Sequence, residues 1–268
     1  MASGETFQLE MAAAEAYEAR FVPAMFAEWA RALVAAAGVA PGQRVLDVAC
    51  GTGIAARTAG GITDPAKVTG VDINEAMLAV AARVQSGITW LQGDAAALPV
   101  PDGSFDTVLC QMSLMFFADP VAALREMRRA TAEGGTVAVA VPGRLSDQPA
   151  YGPFVDLVAR HAGPEAMSLL GVYWACGESA DLRRMFDAAG LSEVDLRTRT
   201  GTARYASADD FVEVEVEGTP LADRLSTEQV VDIREGAGSV LARFAADGGA
   251  LAVPLQGHIV IGRKATAR

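Results

Sequence analysis

The chain has 268 residues, 51% of them hydrophobic, which is enough for one large domain with a substantial core. Its formal net charge of -11 disfavours partners that present phosphate backbones or anionic membrane surfaces. The cysteines Cys50, Cys110 and Cys176 lie far apart without metal-ligand spacing, and no apolar run is long enough to span a bilayer. We therefore expect a cytoplasmic protein that binds neither metal nor nucleic acid and does not insert into membranes.

The first predicted element is a helix over Met11–Gly38, which is rich in alanine and carries aromatic residues at helical spacing. Pro23 lacks a backbone N–H and restricts the residue before it, so the helix is expected to break near Phe21-Val22. Tyr17 lies before this break.

A short apolar strand, predicted to begin at Arg44, leads into a turn of small residues that contains Gly51 and Gly53. Glycines let the backbone turn sharply and let a ligand approach without a Cβ in the way. A helix predicted over Thr52–Ala59 follows, and its free N–H groups face such a ligand. The pattern predicts a nucleotide-binding loop at the carboxyl edge of an α/β sheet.

The charge of Asp47 bears on which nucleotide this loop binds. Gly51, Gly53 and Ala56 fit a relaxed dinucleotide fingerprint, but Asp47 places a negative charge just before the turn. A pyrophosphate is repelled there, whereas a cationic ligand is not. Alternatively, the carboxylate accepts hydrogen bonds from loop N–H groups and holds the turn, and the sequence leaves both interpretations open.

The next predicted strand, Lys67–Val71, ends at Asp72. An acidic residue about 20 positions after the glycine loop is placed to accept hydrogen bonds from the two ribose hydroxyls. The alternative is an N-cap for the helix that starts near Asn74. The distance from the loop favours the ribose contact.

Two further predicted strands also end beside polar residues. Ile88–Leu91 is followed by Asp94, and Phe105–Cys110 is followed by Gln111. Beyond them, the sequence predicts a helix from Asp119-Pro120 to about Ala132 and then a buried strand over Thr136–Val141.

Taken together, these features resemble those of a known family. Val45–Gly53 is similar to motif I of the class I methyltransferases that use S-adenosylmethionine (SAM), in the small-molecule group of the ubiquinone and menaquinone methyltransferases. The likeness runs from about Gly42 to Pro142. It implies SAM as cofactor and an α/β, Rossmann-like fold: a seven-stranded sheet with helices on both faces, helical lid insertions, and a last strand that is antiparallel between strands five and six.

The resemblance also implies which residues contact SAM. Ile73 and Met77 would pack near the adenine, and Asp94 with the backbone of Ala95 would bind the adenine amino edge, although Asp94 could instead be a helix cap. Gln111 would lie beside the methionyl part and the acceptor. The full set of predicted cofactor-binding residues is Tyr17, Asp47, Ala49, Gly51, Gly53, Asp72, Ile73, Met77, Asp94, Ala95 and Gln111.

The chain divides into three predicted parts: a helical lid over residues 1–41, the SAM-binding core over 42–142, and lid or substrate-binding insertions with the closing strands over 143–268. Residues 143–180 form an unusually long connection. The elements predicted in the third part are helices over Pro153–His161, Ala180–Ala189, 208–217 and Ser226–Ala246, and strands over Val194–Tyr205 and Ala252–Arg263.

The predicted activity is methyl transfer to the oxygen, nitrogen or carbon of a small, hydrophobic acceptor. Such a transfer needs no metal, and needs a base only if the acceptor loses a proton. No catalytic residue stands out: His161, His258, Tyr151 and Tyr173 are weak candidates for a base. The alternatives are a SAM-binding scaffold, a methyltransferase-like cyclase, or an NAD-linked oxidoreductase. A homodimer is also expected.

Overall fold

Strands from both halves of the chain form a single sheet. The structure, a computed structural model, describes residues 9–163, 170–217, 219, 221 and 224–266. In this part of the chain the sheet has seven strands in the order β3-β2-β1-β4-β5-β7-β6, and β7 is antiparallel to both neighbours. The predicted fold is thereby confirmed. The strands are β1 (Val45–Val48), β2 (Val68–Asp72), β3 (Thr89–Gln92), β4 (Phe105–Gln111), β5 (Thr131–Pro142), β6 (Ser192–Tyr205) and β7 (Leu251–Arg263).

Helices cover both faces of the sheet, and several begin at caps that the sequence encodes. Asn74 accepts a hydrogen bond from the Met77 N–H, and Asp119 accepts one from the Ala122 N–H. The described α-helices are α1 (Met11–Ala16), α2 (Ala27–Ala36), α3 (Ile54–Gly60), α4 (Glu75–Val84), α5 (Pro120–Ala130), α6 (Tyr151–Ala162), α7 (Ser179–Ala188), α8 (Ala208–Val212) and α9 (Thr227–Leu241). Tyr17–Phe26 and Glu213–Glu217 are π-helical.

The core lies in two layers, one on each face of the sheet, and alternation along β5 shows the division. Val137, Val139 and Val141 pack into the layer that contains buried side chains of α5 and α7. Ala138 and Ala140 face the other layer, which α2, α3, α6 and α9 supply. Because successive strand residues point to opposite faces, this apolar run serves both layers. No helix in the described ranges is both long and apolar enough to cross a membrane.

The predicted break at Phe21-Val22 is wrong. The chain stays helical through Pro23, in the π-helical segment Tyr17–Phe26, and the N–H of Ala27 bonds to the carbonyl of Val22. Proline supplies no N–H to the α-helical ladder, and the wider π turn accommodates that gap. The aromatic residues of this segment are therefore carried on one continuous helix.

The predicted boundary between α5 and β5 is also wrong. The helix ends at Ala130 rather than Ala132, and β5 begins at Thr131 rather than Thr136. Thr131 pairs with Phe105 of β4, and the Lys264 ammonium donates to the Thr131 carbonyl at 2.7 Å. These are tertiary contacts, which local propensity does not encode. Similarly, α9 ends at Leu241, short of the predicted Ala246.

Candidate functional site

A cavity of about 490 Å³ lies where the carboxyl ends of β1, β2 and β4 meet the N-terminal helices. Its volume lies in the range of small-molecule sites. Of the eleven predicted cofactor-binding residues, ten line it, and Gly53 does not: the ten are Tyr17, Asp47, Ala49, Gly51, Asp72, Ile73, Met77, Asp94, Ala95 and Gln111. The strand ends thus bring together side chains that are far apart in sequence.

Asp47, in β1, is buried, and only one of its two carboxylate oxygens has a hydrogen-bond partner among the described residues. Its Oδ2 accepts a hydrogen bond of 2.8 Å from the Ala56 N–H at the start of α3, so the carboxylate holds the turn. Its Oδ1 is buried and has no hydrogen-bond partner among the described residues. Burial raises the pKa of this carboxyl to about 7. A buried acceptor without a partner is costly, and a cationic donor in the cavity would satisfy it.

Asp72, at the end of β2, joins the glycine loop to the start of the next helix. Its Oδ2 accepts from the Gly51 N–H at 2.7 Å, and its Oδ1 accepts from the Asn74 N–H at 2.9 Å. Each carboxylate oxygen has a second lone pair for a ligand hydroxyl. Burial raises the pKa of this carboxyl, and its hydrogen bonds to N–H groups oppose the rise. The alternative N-cap role for Asp72 is wrong, because Asn74 caps α4.

Two residues at the tips of β1 and β4 have left-handed backbone conformations. Ala49 has φ 53° and Met112 has φ 51°, and both line the cavity. The Met112 N–H donates to the Ala140 carbonyl, and the Ser113 hydroxyl lies 3.3 Å from the Ala49 carbonyl oxygen. Such conformations cost free energy in residues other than glycine and cluster at functional sites. Both residues directly follow a strand that ends at the cavity, β1 for Ala49 and β4 for Met112.

The two loop glycines have different surroundings. A Cβ on Gly51 would point toward the ring of Tyr17, 3.8 Å away, on the cavity side. A Cβ on Gly53 would lie 2.2 Å from the Cη2 atom of Trp90, on the core side. Gly51 therefore provides room for a ligand and Gly53 provides room for Trp90. Direct contact of Gly53 with the cofactor remains a prediction.

Replacing Gly53 with alanine is expected to destabilise the fold by about 2 to 4 kcal/mol, because the Cβ meets Trp90 at a residue with φ 85°. Urea denaturation measures the change in the free energy of unfolding. Gly248→Ala is the matched control, since φ there is 75° but nothing lies within 4 Å of the added Cβ. Equal losses in the two variants would show that the Trp90 contact contributes nothing.

The N-terminal helices close one side of the cavity. Tyr17 forms a cluster of roughly parallel rings with Phe21 and Phe26, whose centroids lie 5.4 and 5.3 Å from its own and 6.4 Å from each other. Glu18 pairs with Arg57 of α3 through contacts of 2.8 and 3.1 Å, which fasten this segment to the glycine loop's helix. Burial, and next the charge of Asp72, raise the pKa of Tyr17 far above its usual range. Tyr17 therefore stays a neutral phenol in the lining of the cavity.

Gln111 links the same helices to the tip of β4. Its Nε2 donates to the Phe26 carbonyl at 3.1 Å, which fixes the orientation of the amide. Its Oε1 is buried without a hydrogen-bond partner in the described part of the chain. The cavity lining thus contains two buried acceptor oxygens that need a donor, one from Gln111 and one from Asp47.

The predicted adenine end of the cavity is built from β3 and α4. Asp94 Oδ1 accepts from the Ala96 N–H at 2.8 Å, so Asp94 stabilises a turn rather than capping a helix. Met77 is buried, whereas 42% of Ile73 is exposed. An exposed isoleucine on a cavity wall offers apolar area to a flat ring.

Only two of the four residues considered as a catalytic base lie at the cavity. Tyr151 and Tyr173 line the cavity, whereas the two histidines do not. His258 is buried between the Thr198 hydroxyl at 2.9 Å and the Gly177 carbonyl at 3.1 Å, which is a structural role. His161 lies 3.4 Å from Asp232. In the described part of the chain, no group of three His, Cys, Asp or Glu residues is arranged to hold a metal.

Sequence reasoning missed Glu215, which lines the cavity from the π-helical segment Glu213–Glu217. Its Oε1 accepts a hydrogen bond of 2.6 Å from the Tyr205 hydroxyl. Burial raises the pKa of this carboxyl to about 7, and the Tyr205 bond opposes the rise. One signal was available: Glu215 follows the buried Phe211 and Val212 by four and three positions, which is the spacing of one helix face.

The sequence and the fold are similar to those of known methyltransferases. The family model of the methyltransferase domain matches residues 46–139, which include most of β1, all of β2, β3 and β4, and most of β5. A demethylmenaquinone methyltransferase from a Mycobacterium species is 33% identical over 183 residues, which cover 65% of this chain and 78% of that protein. This chain belongs to the class I SAM-dependent methyltransferases. The predicted family is therefore confirmed.

The sequence alignments with some other relatives cover a smaller part of the chain. A demethylmenaquinone methyltransferase from Renibacterium salmoninarum is 41% identical over 127 residues, 47% of this chain and 51% of the relative. The chain thus spans about half the length of this and similar relatives. Among solved structures, a phosphoethanolamine N-methyltransferase 2 from Haemonchus contortus, in complex with SAM, superposes with a TM-score of 0.62 at 18% sequence identity. The match covers 98% of the present chain and 59% of the Haemonchus chain. That likeness concerns the fold.

Proposed function

We propose that the chain binds SAM in this cavity and transfers its methyl group to a small, hydrophobic acceptor. The observation that supports the proposal best is that the lining of one cavity contains both Asp47 and Gln111, each with a buried oxygen, Oδ1 and Oε1, that has no hydrogen-bond partner among the described residues. SAM carries an ammonium and a sulfonium and no phosphate, so it supplies hydrogen-bond donors and positive charge where the lining has buried acceptors. A dinucleotide would instead bring a pyrophosphate toward Asp47.

The remaining polar residues fit the rest of the molecule. Asp72 is fixed by two N–H groups and offers its free lone pairs to the ribose diol. Asp94 and the backbone of Ala95 would bind the adenine edge, beside Ile73. Tyr17 would cover the ligand from the N-terminal helices, which we propose to be the lid over residues 1–41.

When bound, SAM supplies an electrophilic methyl group. The protein contributes orientation and exclusion of water: the acceptor must lie in line with the methyl and the sulfur, in an enclosed apolar site. Apart from Glu215, the walls away from the acidic strand tips are mostly apolar and aromatic, including Phe116, Phe154, Tyr173 and Trp174. They suit a small hydrophobic acceptor, such as those that the names of the demethylmenaquinone methyltransferases indicate.

The same proposal includes the division of the chain into a SAM-binding core over residues 42–142 and an acceptor-binding part over 143–268. Net charge and cavity size argue against a nucleic-acid acceptor. The cytoplasm as the site of action and the homodimer stay predictions.

The proposal is tested by methyl transfer from isotope-labelled SAM. The protein is incubated with a hydrophobic panel that includes a reduced demethylmenaquinone, and S-adenosylhomocysteine and labelled product are quantified. We expect stoichiometric formation of both with at least one acceptor. Binding of SAM without S-adenosylhomocysteine release on any acceptor would instead support a scaffold or a cyclase.

A further inference from the structure

A chain of hydrogen-bonded hydroxyl groups ends on a carboxylate at the cavity wall. The Tyr205 hydroxyl donates to Glu215 Oε1 at 2.6 Å, and the hydroxyl oxygens of Tyr205 and Tyr151 are 3.0 Å apart. Because the Tyr205 proton points to the carboxylate, Tyr151 is the donor in the second bond. Both O–H groups are thus oriented toward Glu215, which is the arrangement that stabilises an anionic carboxylate.

In the part of the chain that the structure describes, the second oxygen of this carboxylate, Oε2, is left free for a ligand. Among the described residues, none donates a hydrogen bond to Glu215 Oε2. The ionisable groups that feel the charge of Glu215 are Tyr151 of α6, Tyr173 of the turn Val172–Trp174 and Tyr205 of β6. None of them is a cation. Glu215 therefore has one direct hydrogen-bond donor, Tyr205, and no counter-ion among these described groups.

Glu215 also lies in the part of the lining that is not committed to SAM. The carboxylates Asp47, Asp72 and Asp94 belong to the first three strands and their exits, whereas Glu215 follows β6. Around it the elements after β5 supply the aromatic side chains of Tyr151, Tyr173 and Trp174.

This inference rests on the proposed methyl transfer. We propose that Glu215 is the general base for an aromatic hydroxyl acceptor, and that Tyr205 is a positioning residue that holds the carboxylate. The acceptor's O–H bond breaks and its proton passes to Glu215. The acceptor oxygen forms the new bond to the methyl carbon with one of its electron pairs. The carbon–sulfur bond breaks with its pair on sulfur, which turns the sulfonium into a neutral thioether.

Two arguments favour a hydroxyl over an amine. The donor already brings positive charge into the cavity, and an ammonium acceptor beside it would be repelled at low dielectric. Transfer to a hydroxyl oxygen requires the loss of one proton, and Glu215 is the carboxylate available to take it among the described lining residues after β5. Aromatic walls suit an aromatic acceptor, because offset or edge contacts between rings are favourable.

The test compares wild type, Glu215→Gln and Glu235→Gln, with 1-naphthol and 1,4-naphthohydroquinone as hydroxyl probes and tryptamine as the amine probe. Glu235 is an exposed residue of α9 and serves as the matched control. We expect wild type and the control to methylate the oxygen of a hydroxyl probe, so that the labelled product is a methyl ether; methylation at a ring carbon instead would overturn the inference. Glu215→Gln should lose about 100-fold or more in kcat, in line with the loss of a general base, with SAM affinity unchanged.

The pH profile distinguishes catalysis from folding. At saturating SAM, wild-type kcat should rise with pH through about 7, because Glu215 loses its proton there. This rising limb of the pH profile should be absent in Glu215→Gln. In Tyr205→Phe the limb should move to higher pH, because the bond from Tyr205 lowers the pKa of Glu215.

Three further results would overturn the inference and leave methyl transfer standing: hydroxyl transfer by Glu215→Gln within threefold of wild type, no transfer to either hydroxyl probe while SAM binds, or transfer to tryptamine alone. Failure of wild type to bind SAM would reject the proposed function itself, and the inference with it.

Discussion

An Asp72→Asn variant is expected to bind S-adenosylhomocysteine about 30- to 150-fold more weakly than wild type. The carboxylate is held by the N–H groups of Gly51 and Asn74, so its remaining lone pairs are fixed in position, and in the proposed complex they accept hydrogen bonds from two ribose hydroxyls. Asparagine keeps the shape but turns one acceptor into a donor and removes the charge. Charge-assisted hydrogen bonds lost in this way cost about 2 to 3 kcal/mol.

The measurement is isothermal titration, with a thermal melt of the free protein beside it. Asp106→Asn is the control, because Asp106 pairs with Arg44 at the amino end of β4 and does not line the cavity. A similar affinity for the ligand in Asp72→Asn and wild type would mean that Asp72 only holds the loop.

Asp47→Asn is expected to change stability and binding in opposite directions. Burial raises the pKa of Asp47 from 3.8 to about 7 in the folded protein. The contribution of this group to stability is therefore fully present below about pH 4 and is lost as pH rises to about 7. The buried charge costs most above pH 7, on the order of 4 kcal/mol for a shift of this size. Asparagine avoids that cost.

Thermal melts of Asp47→Asn and wild type at pH 5 and pH 8 test this directly. The variant should exceed wild type in Tm at pH 8, with a smaller gain at pH 5, yet bind SAM at least 10-fold more weakly at pH 8. Such a trade between stability and function is common at buried charged sites. Unchanged SAM affinity would contradict the proposed role of Asp47, and binding of NADH by both proteins would indicate an oxidoreductase.

The ten predicted residues that line the cavity could be found from the sequence because their positions depend on local order along the chain. Each of β1 to β4 contains a short apolar run, and Asp47, Asp72, Asp94 and Gln111 lie within, at or just after the end of such a strand. Parallel strands in one sheet bring these ends to one edge. The alternation of strands and helices fixes that edge before any tertiary contact is known.

What the sequence did not reveal depends on contacts between distant segments. Pro23 is accommodated by a π-helical turn rather than a break, and the start of β5 depends on Phe105 and Lys264. Glu215 lines the cavity because β6, which pairs antiparallel with β7, places the segment that follows it at the cavity. An acidic residue in an alternating acidic run resembles a solvated face until that path is known.

Acidic strand ends that hold a cationic adenosyl donor are the basis of the proposed function. The most direct measurement is titration of SAM into wild type, Asp72→Asn and Asp47→Asn at pH 8, with NADH as the comparison ligand. We expect one SAM site in wild type with a Kd of roughly 1 to 100 µM, a range typical of enzyme substrates, much weaker binding in both variants, and no heat from NADH. Absence of SAM binding to wild type at about 1 mM, or equal affinity in all three proteins, would contradict this role of the strand ends.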